Sequence, residues 1–138
     1  MPAKKEAMVG IDMGGTRLRA LVVNAQNKIL GMHRAPTNPK QKTDRLVSDI
    51  AAVVTAAVQS ASLKVSDLRA VSIGVPGAVD PVSGLVYHAP NLGWKSVPLG
   101  SKLKALLKVP VFVENDVNVG VMGEYTLGAG QGANELVG

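Results

Sequence analysis

Asp12, Gly14, Gly15 and Thr16 are the first residues in this sequence whose types and spacing could do chemistry. A carboxylate closes an apolar run, two glycines make a turn, and a hydroxyl follows. Phosphate oxygens need close N–H donors with no side chain in the way, and a glycine turn can supply them. An aspartate beside such a turn can hold Mg²⁺ through water, because that ion keeps part of its hydration shell. The same four residues also read as an ordinary Gly-Gly hairpin, its glycines serving positive φ, with a solvated Asp. No GxxxxGK[ST] occurs and the glycines precede a strand pattern, so neither a P-loop nor a dinucleotide fingerprint is present.

Glu114-Asn115-Asp116, with Asn118, forms a second group. It follows a strand pattern and opens a helical one. Asp116 could therefore cap the helix, or accept a proton from a substrate hydroxyl at the ligand-binding end of a strand. Gly74-Val-Pro-Gly77 and Asn91-Leu-Gly-Trp94 form a third. Glycines at a strand end admit a sugar-sized ligand, and Asn91 offers both a donor and an acceptor. Plain turn chemistry explains them equally well, and Trp94 reads either as a sugar-stacking ring or as packing under a loop. His33 and His88 have no metal-ligand spacing and read as structural.

The elements that must position these residues follow from periodicity. Met8–Ile11 is a buried strand ending at Asp12, Thr16–Val23 alternates, and Ile29–Arg34 is a third strand before Pro36 and Pro39. Helical spacing predicts a helix over Thr43–Ser60 that buries Leu46, Ile50, Val53, Val54, Ala57 and Val58, with Asp44 in its first turn. Ala70–Val75 is a strand, and 80–94 is Gly- and Pro-rich with one short strand at Leu85–Tyr87. A second helix spans Leu99–Leu107, burying Leu99, Leu103, Leu106 and Leu107, with Lys102, Lys104 and Lys108 as a solvated face. Val109–Glu114 is a fifth main strand and Val117–Leu127 is helical. The expected fold is α/β, a five-stranded mixed sheet in β-β-β-α-β-α-β-α order.

Composition narrows the function classes. The chain has 138 residues, 46% of them hydrophobic and 18% charged, which excludes wholesale disorder. It contains no cysteine, so neither a disulfide framework nor a thiolate metal site exists within it. The net charge is +5, but the basic residues are scattered and not interleaved with aromatics, which argues against nucleic-acid binding. No apolar run is long enough to span a bilayer, and no signal-peptide pattern occurs, so a cytoplasmic location without membrane contact is expected.

In order, Gly10-Ile-Asp-Met-Gly-Gly-Thr16, Gly74-Val-Pro-Gly77, Asn91-Leu-Gly-Trp94, Glu114-Asn-Asp-Val-Asn118, Gly123-Glu-Tyr125 and Gly128-Ala-Gly130 resemble the ROK family (repressors, open reading frames, kinases). The set is most similar to the family's bacterial glucokinases. The resemblance implies an actin-like ATPase lobe of ribonuclease-H-like topology and ATP-dependent phosphorylation of a hexose 6-hydroxyl, glucose by default, with Mg²⁺ on the nucleotide. Asp12, Gly14, Gly15 and Thr16 match the first phosphate-binding loop. Asp116 matches the catalytic base, Asn115 with Asp116 the sugar grip, Gly77 a backbone position beside the hexose, and Asn91 a nearby loop residue.

The same resemblance implies a longer protein. Residues 1–7 read as a flexible N-terminus, 8–127 as the N-terminal lobe and 128–138 as a linker towards a C-terminal lobe. That lobe is expected to hold the second phosphate motif, the adenosine site, a structural zinc site and most homo-oligomer contacts. This stretch alone is expected not to turn over. A sugar-sensing repressor of the same family or a non-catalytic sugar-binding module is the alternative. Only Met1–Ala7 precede the first strand, which counts against a helix-turn-helix within this stretch. The choice of hexose, and of ATP or polyphosphate as donor, stays open.

Overall fold

A computed structural model of the chain describes residues 6–116. Strands β1 (Ala7–Met13), β2 (Arg17–Val23) and β3 (Ile29–Pro36) form an antiparallel meander. Alternation sets their faces. Val9, Ile11 and Met13 lie opposite Val22, Ala20 and Leu18, and all six are buried. The β2–β3 turn is held by Asn24, whose Oδ1 accepts the N–H of Gln26 at 3.0 Å and of Lys28 at 2.9 Å.

Helix α1 (Thr43–Ser60) covers the buried face of the meander. Its boundaries are those expected from sequence, and Val47 joins the six apolar residues expected to be buried. Near its C-terminal end β3 packs closely: a Cβ at Gly31 would stand 2.8 Å from the Ala57 carbonyl and 2.9 Å from the Ala61 Cβ. Ser60 joins the two elements, its Oγ accepting the Met32 N–H at 3.0 Å.

Strand β4 (Leu68–Val75) returns parallel to β1. Next come β5 (Ala78–Asp80), β6 (Leu85–Ala89) and β7 (Trp94–Val97), a separate three-stranded antiparallel sheet. This corrects the expectation of a Gly- and Pro-rich stretch with one short strand. Strands of three to five residues carry too little alternation to be read locally. A polar turn closes the β5–β6 hairpin: Val82 N–H donates to Asp80 Oδ1 at 3.0 Å and the Ser83 hydroxyl to Asp80 Oδ2 at 2.7 Å. These bonds, the serine's first, hold the Asp80 carboxyl below its ordinary pKa.

Helix α2 (Leu99–Leu107) has the expected boundaries and buries Leu99, Leu103 and Leu107, four residues apart. Leu106 does not belong to that stripe and is 52% exposed, contrary to expectation. On the solvated side, Lys102 pairs with Asp44 of α1 at 2.8 Å. Strand β8 (Val111–Asn115) then joins β4 in parallel, giving a five-stranded sheet in the order β3-β2-β1-β4-β8. The expected mixed sheet is present. The expected helix over 117–127, and the linker beyond it, lie outside the described residues.

Both helices share the core with one face of this sheet, and the small sheet adjoins it through β5 beside β8 and β6 beside α2. The opposite face is more open among the described residues, with Met8, Met32 and Phe112 38%, 45% and 59% exposed. Because β1, β4 and β8 are parallel, their C-terminal ends reach one edge together.

Candidate active site

The register aligns Asp12 of β1 with Gly74 of β4, and Gly74 with Glu114 of β8. Asp116 follows β8 directly. Asp12 and Asp116 consequently line one cavity of about 370 Å³, together with Gly10, Arg19, Ser72 and Gly74. Two carboxylates far apart in sequence are thus delivered to one edge of a sheet, where open α/β sheets place their ligands.

The glycine turn after β1 has a specific form. The Gly14 N–H closes the hairpin by donating to the Arg17 carbonyl at 2.9 Å, so it is not one of the donors the loop can offer. The N–H groups of Gly15 and Thr16 have no protein acceptor among the described residues. Neither Gly14 nor Gly15 adopts positive φ, so backbone freedom is not the reason for them. A Cβ on Gly15 would meet nothing within 4 Å, which leaves open space over the backbone that a ligand oxygen could fill. The loop is braced from the other side, where the Thr37 N–H donates to the Thr16 carbonyl at 2.9 Å.

Asn115 and Gly77 meet directly. The Asn115 Nδ2–H donates to the Gly77 carbonyl at 2.7 Å, and the Asn115 N–H donates to Glu114 Oε1 at 2.8 Å. Asn115 therefore fixes the loop after β4 to the end of β8. Gly77 also has a packing reason to be glycine: a Cβ there would overlap the His88 carbonyl and stand 2.9 Å from the Ala89 Cβ. Asn91 is exposed on the short turn Pro90–Leu92 that follows β6, and it does not line the cavity shared by the two aspartates. Ala89, against which Gly77 packs, places that turn next to the Gly77 loop.

Trp94 is 2% exposed and belongs to the core, so packing is its role. His33 and His88 are exposed on β3 and β6, and neither lines the cavity shared by the two aspartates. Among the described residues no group of His, Cys, Asp or Glu could hold a metal by itself, and no helix is long and apolar enough to cross a membrane. Arg34 of β3 stands directly opposite Arg19 of β2, and both line a second cavity of about 240 Å³ with Asp12, Gly14, Thr16 and Arg17.

The ROK family profile matches residues 8–138 of this sequence. The chain belongs to the ROK family. Among ROK relatives, the glucokinase of Halalkalibacterium halodurans is 33% identical over 129 residues, covering 94% of this chain and 39% of the relative. The xylose repressor of Bacillus subtilis is 29% identical over 94% of this chain and 33% of its own length. A ROK glucokinase from Streptomyces griseus, solved with glucose and AMPPNP, superposes with a TM-score of 0.81 at 37% identity, covering 91% of this chain and 38% of that one. The chain thus spans about two fifths of the length of the glucokinases it matches, and its lobe has their actin-like ATPase fold.

Proposed function

We propose that this chain is the sugar-binding and first phosphate-loop part of an ATP-dependent hexose 6-kinase, with glucose as its hexose. The observation that carries the reading is that Asp12 and Asp116, at the C-terminal ends of β1 and β8, line one cavity that extends over the open face of the sheet. The glucokinase relatives, and glucose and AMPPNP in the Streptomyces griseus enzyme, support the substrate class.

Phosphoryl transfer asks mainly for positioning and charge neutralisation. The sugar 6-hydroxyl attacks the γ-phosphorus, the bond from that phosphorus to the ADP oxygen breaks, and the hydroxyl proton passes to the Asp116 carboxylate. Asn115 fixes the Gly77 backbone beside the sugar and Asn91 approaches from the adjacent turn. The Gly15 and Thr16 N–H groups take phosphate oxygens. The exposed Asp12 carboxylate and the open space over Gly15 suit a hydrated Mg²⁺ on the phosphates, which neutralises their charge when bound.

The test is a coupled kinase assay of the complete polypeptide with a panel of hexoses. Asp116→Asn should lower kcat by about 10²- to 10⁴-fold, the range for a lost general base, with a smaller change in the KM for glucose. A near-normal kcat would remove Asp116 from that role. The match to a xylose repressor favours a second reading, sugar binding without turnover. Under that reading the complete protein binds the hexose but releases no ADP with any sugar in the panel.

A further inference from the structure

We propose that Arg19 and Arg34 form a second anion subsite, which takes the distal phosphates of a condensed-phosphate donor whose other end lies on the Gly15–Thr16 loop. The inference rests on the phosphate-loop reading above and extends it.

The register places Asp12, Arg19 and Arg34 in one row across β1, β2 and β3, on the open face of the sheet. Like charges directly opposite each other on neighbouring strands are destabilising. Yet Arg19 and Arg34 are such a pair, and Arg17 lies two residues along the same face of β2. Among the described residues the ion pairs are Arg45 with Asp49 and Lys102 with Asp44, so none of these three guanidinium groups has a carboxylate within 4 Å. Edge protection would explain a charge on β3, the outermost strand, but not one on β2, which is interior.

An anion resolves the repulsion. Guanidinium groups bind phosphate oxygens through paired N–H donors, and two of them can share one bridging phosphate. The 240 Å³ cavity contains Arg17, Arg19 and Arg34 together with Gly14 and Thr16 of the loop, so one ligand can touch both. Its shape follows from strand spacing. Arg19 and Arg34 are rooted one and two strands from β1, about 5 and 10 Å away at ~4.8 Å per strand, so the guanidinium groups line the cavity from separate strands. A chain of condensed phosphates spans that distance, whether it belongs to a nucleoside triphosphate or to inorganic polyphosphate.

Isothermal titration of the 138-residue chain tests this, with orthophosphate, sodium tripolyphosphate and Mg-ATP as titrants. All three arginines are exposed, so Arg19→Gln with Arg34→Gln should leave the fold intact, which circular dichroism checks. The double variant should bind tripolyphosphate about 10-fold or more weaker, the loss of charge-assisted bonds, while orthophosphate affinity falls less, because the loop N–H groups still hold it. Equal weakening of Mg-ATP assigns the subsite to nucleotide phosphates; Mg-ATP unchanged beside weakened tripolyphosphate assigns it to inorganic polyphosphate. A double variant that binds tripolyphosphate like the parent, or a parent chain that takes up none, overturns the proposal. Gly15→Val tests the loop separately. If it leaves orthophosphate binding unchanged the loop reading fails, and the tripolyphosphate result still decides whether the arginines bind an anion.

Discussion

At the scale of single residues, the two glycines offered as ligand-facing have different physical reasons. Gly15 has open space where a Cβ would be, and its φ is not positive. Gly15→Val should therefore leave the thermal midpoint nearly unchanged while weakening orthophosphate binding, measured by differential scanning fluorimetry and titration on one sample. Gly77 is surrounded: its Cβ would overlap the His88 carbonyl. Gly77→Ala should destabilise the chain by about 1–3 kcal/mol, the usual cost of overpacking, read from urea unfolding. Asn115→Ala removes the bond to the Gly77 carbonyl and should cost about 1 kcal/mol. The Asp12 turn was legible as a phosphate candidate because a carboxylate, two glycines and a hydroxyl are contiguous. That Asn115 holds Gly77 was not, because a strand end and a loop 38 residues apart in sequence meet only in the fold.

At the scale of elements, the hairpin between β5 and β6 has the most specific requirements. Gly84 adopts φ 74° and a Cβ there would stand 3.0 Å from the Gly100 Cα at the start of α2, whose N–H donates to the Gly84 carbonyl at 3.0 Å. Gly84→Ala combines left-handed strain with that clash and should cost about 1–3 kcal/mol in chemical denaturation. The same turn titrates. Ser83 and Val82 depress the Asp80 carboxyl in the folded state, so its contribution to stability is present at neutral pH. It is lost as the pH falls through the folded-state value. Asp80→Asn should flatten the acid limb of the stability profile relative to the parent, and an unchanged limb would show that the turn is not ionically held. Helices α1 and α2 were legible because an apolar stripe of period 3.6 is a local signal. The small sheet was not, since its strands are stabilised by pairing with each other and with neighbouring elements more than by any pattern of their own.

At the scale of the molecule, the two sheets and both helices share one buried cluster, in which Leu103 of α2 is fully buried. Leu103→Ala should cost about 2–5 kcal/mol and shift the unfolding of both sheets together, checked by following two spectroscopic probes through one urea titration. The ion pair from Lys102 to Asp44 also joins the helices but is exposed, and pairs of that kind contribute under about 1 kcal/mol. By itself the sequence determined the alternating core strands, both helix boundaries and the two acidic groups, because periods of 2 and 3.6 and strand-end punctuation are carried by adjacent residues. Only the tertiary structure decided that Asp12 and Asp116 share a cavity and that Arg19 faces Arg34. Those meetings depend on strand register, and register is set by contacts between segments that no local stretch of sequence contains.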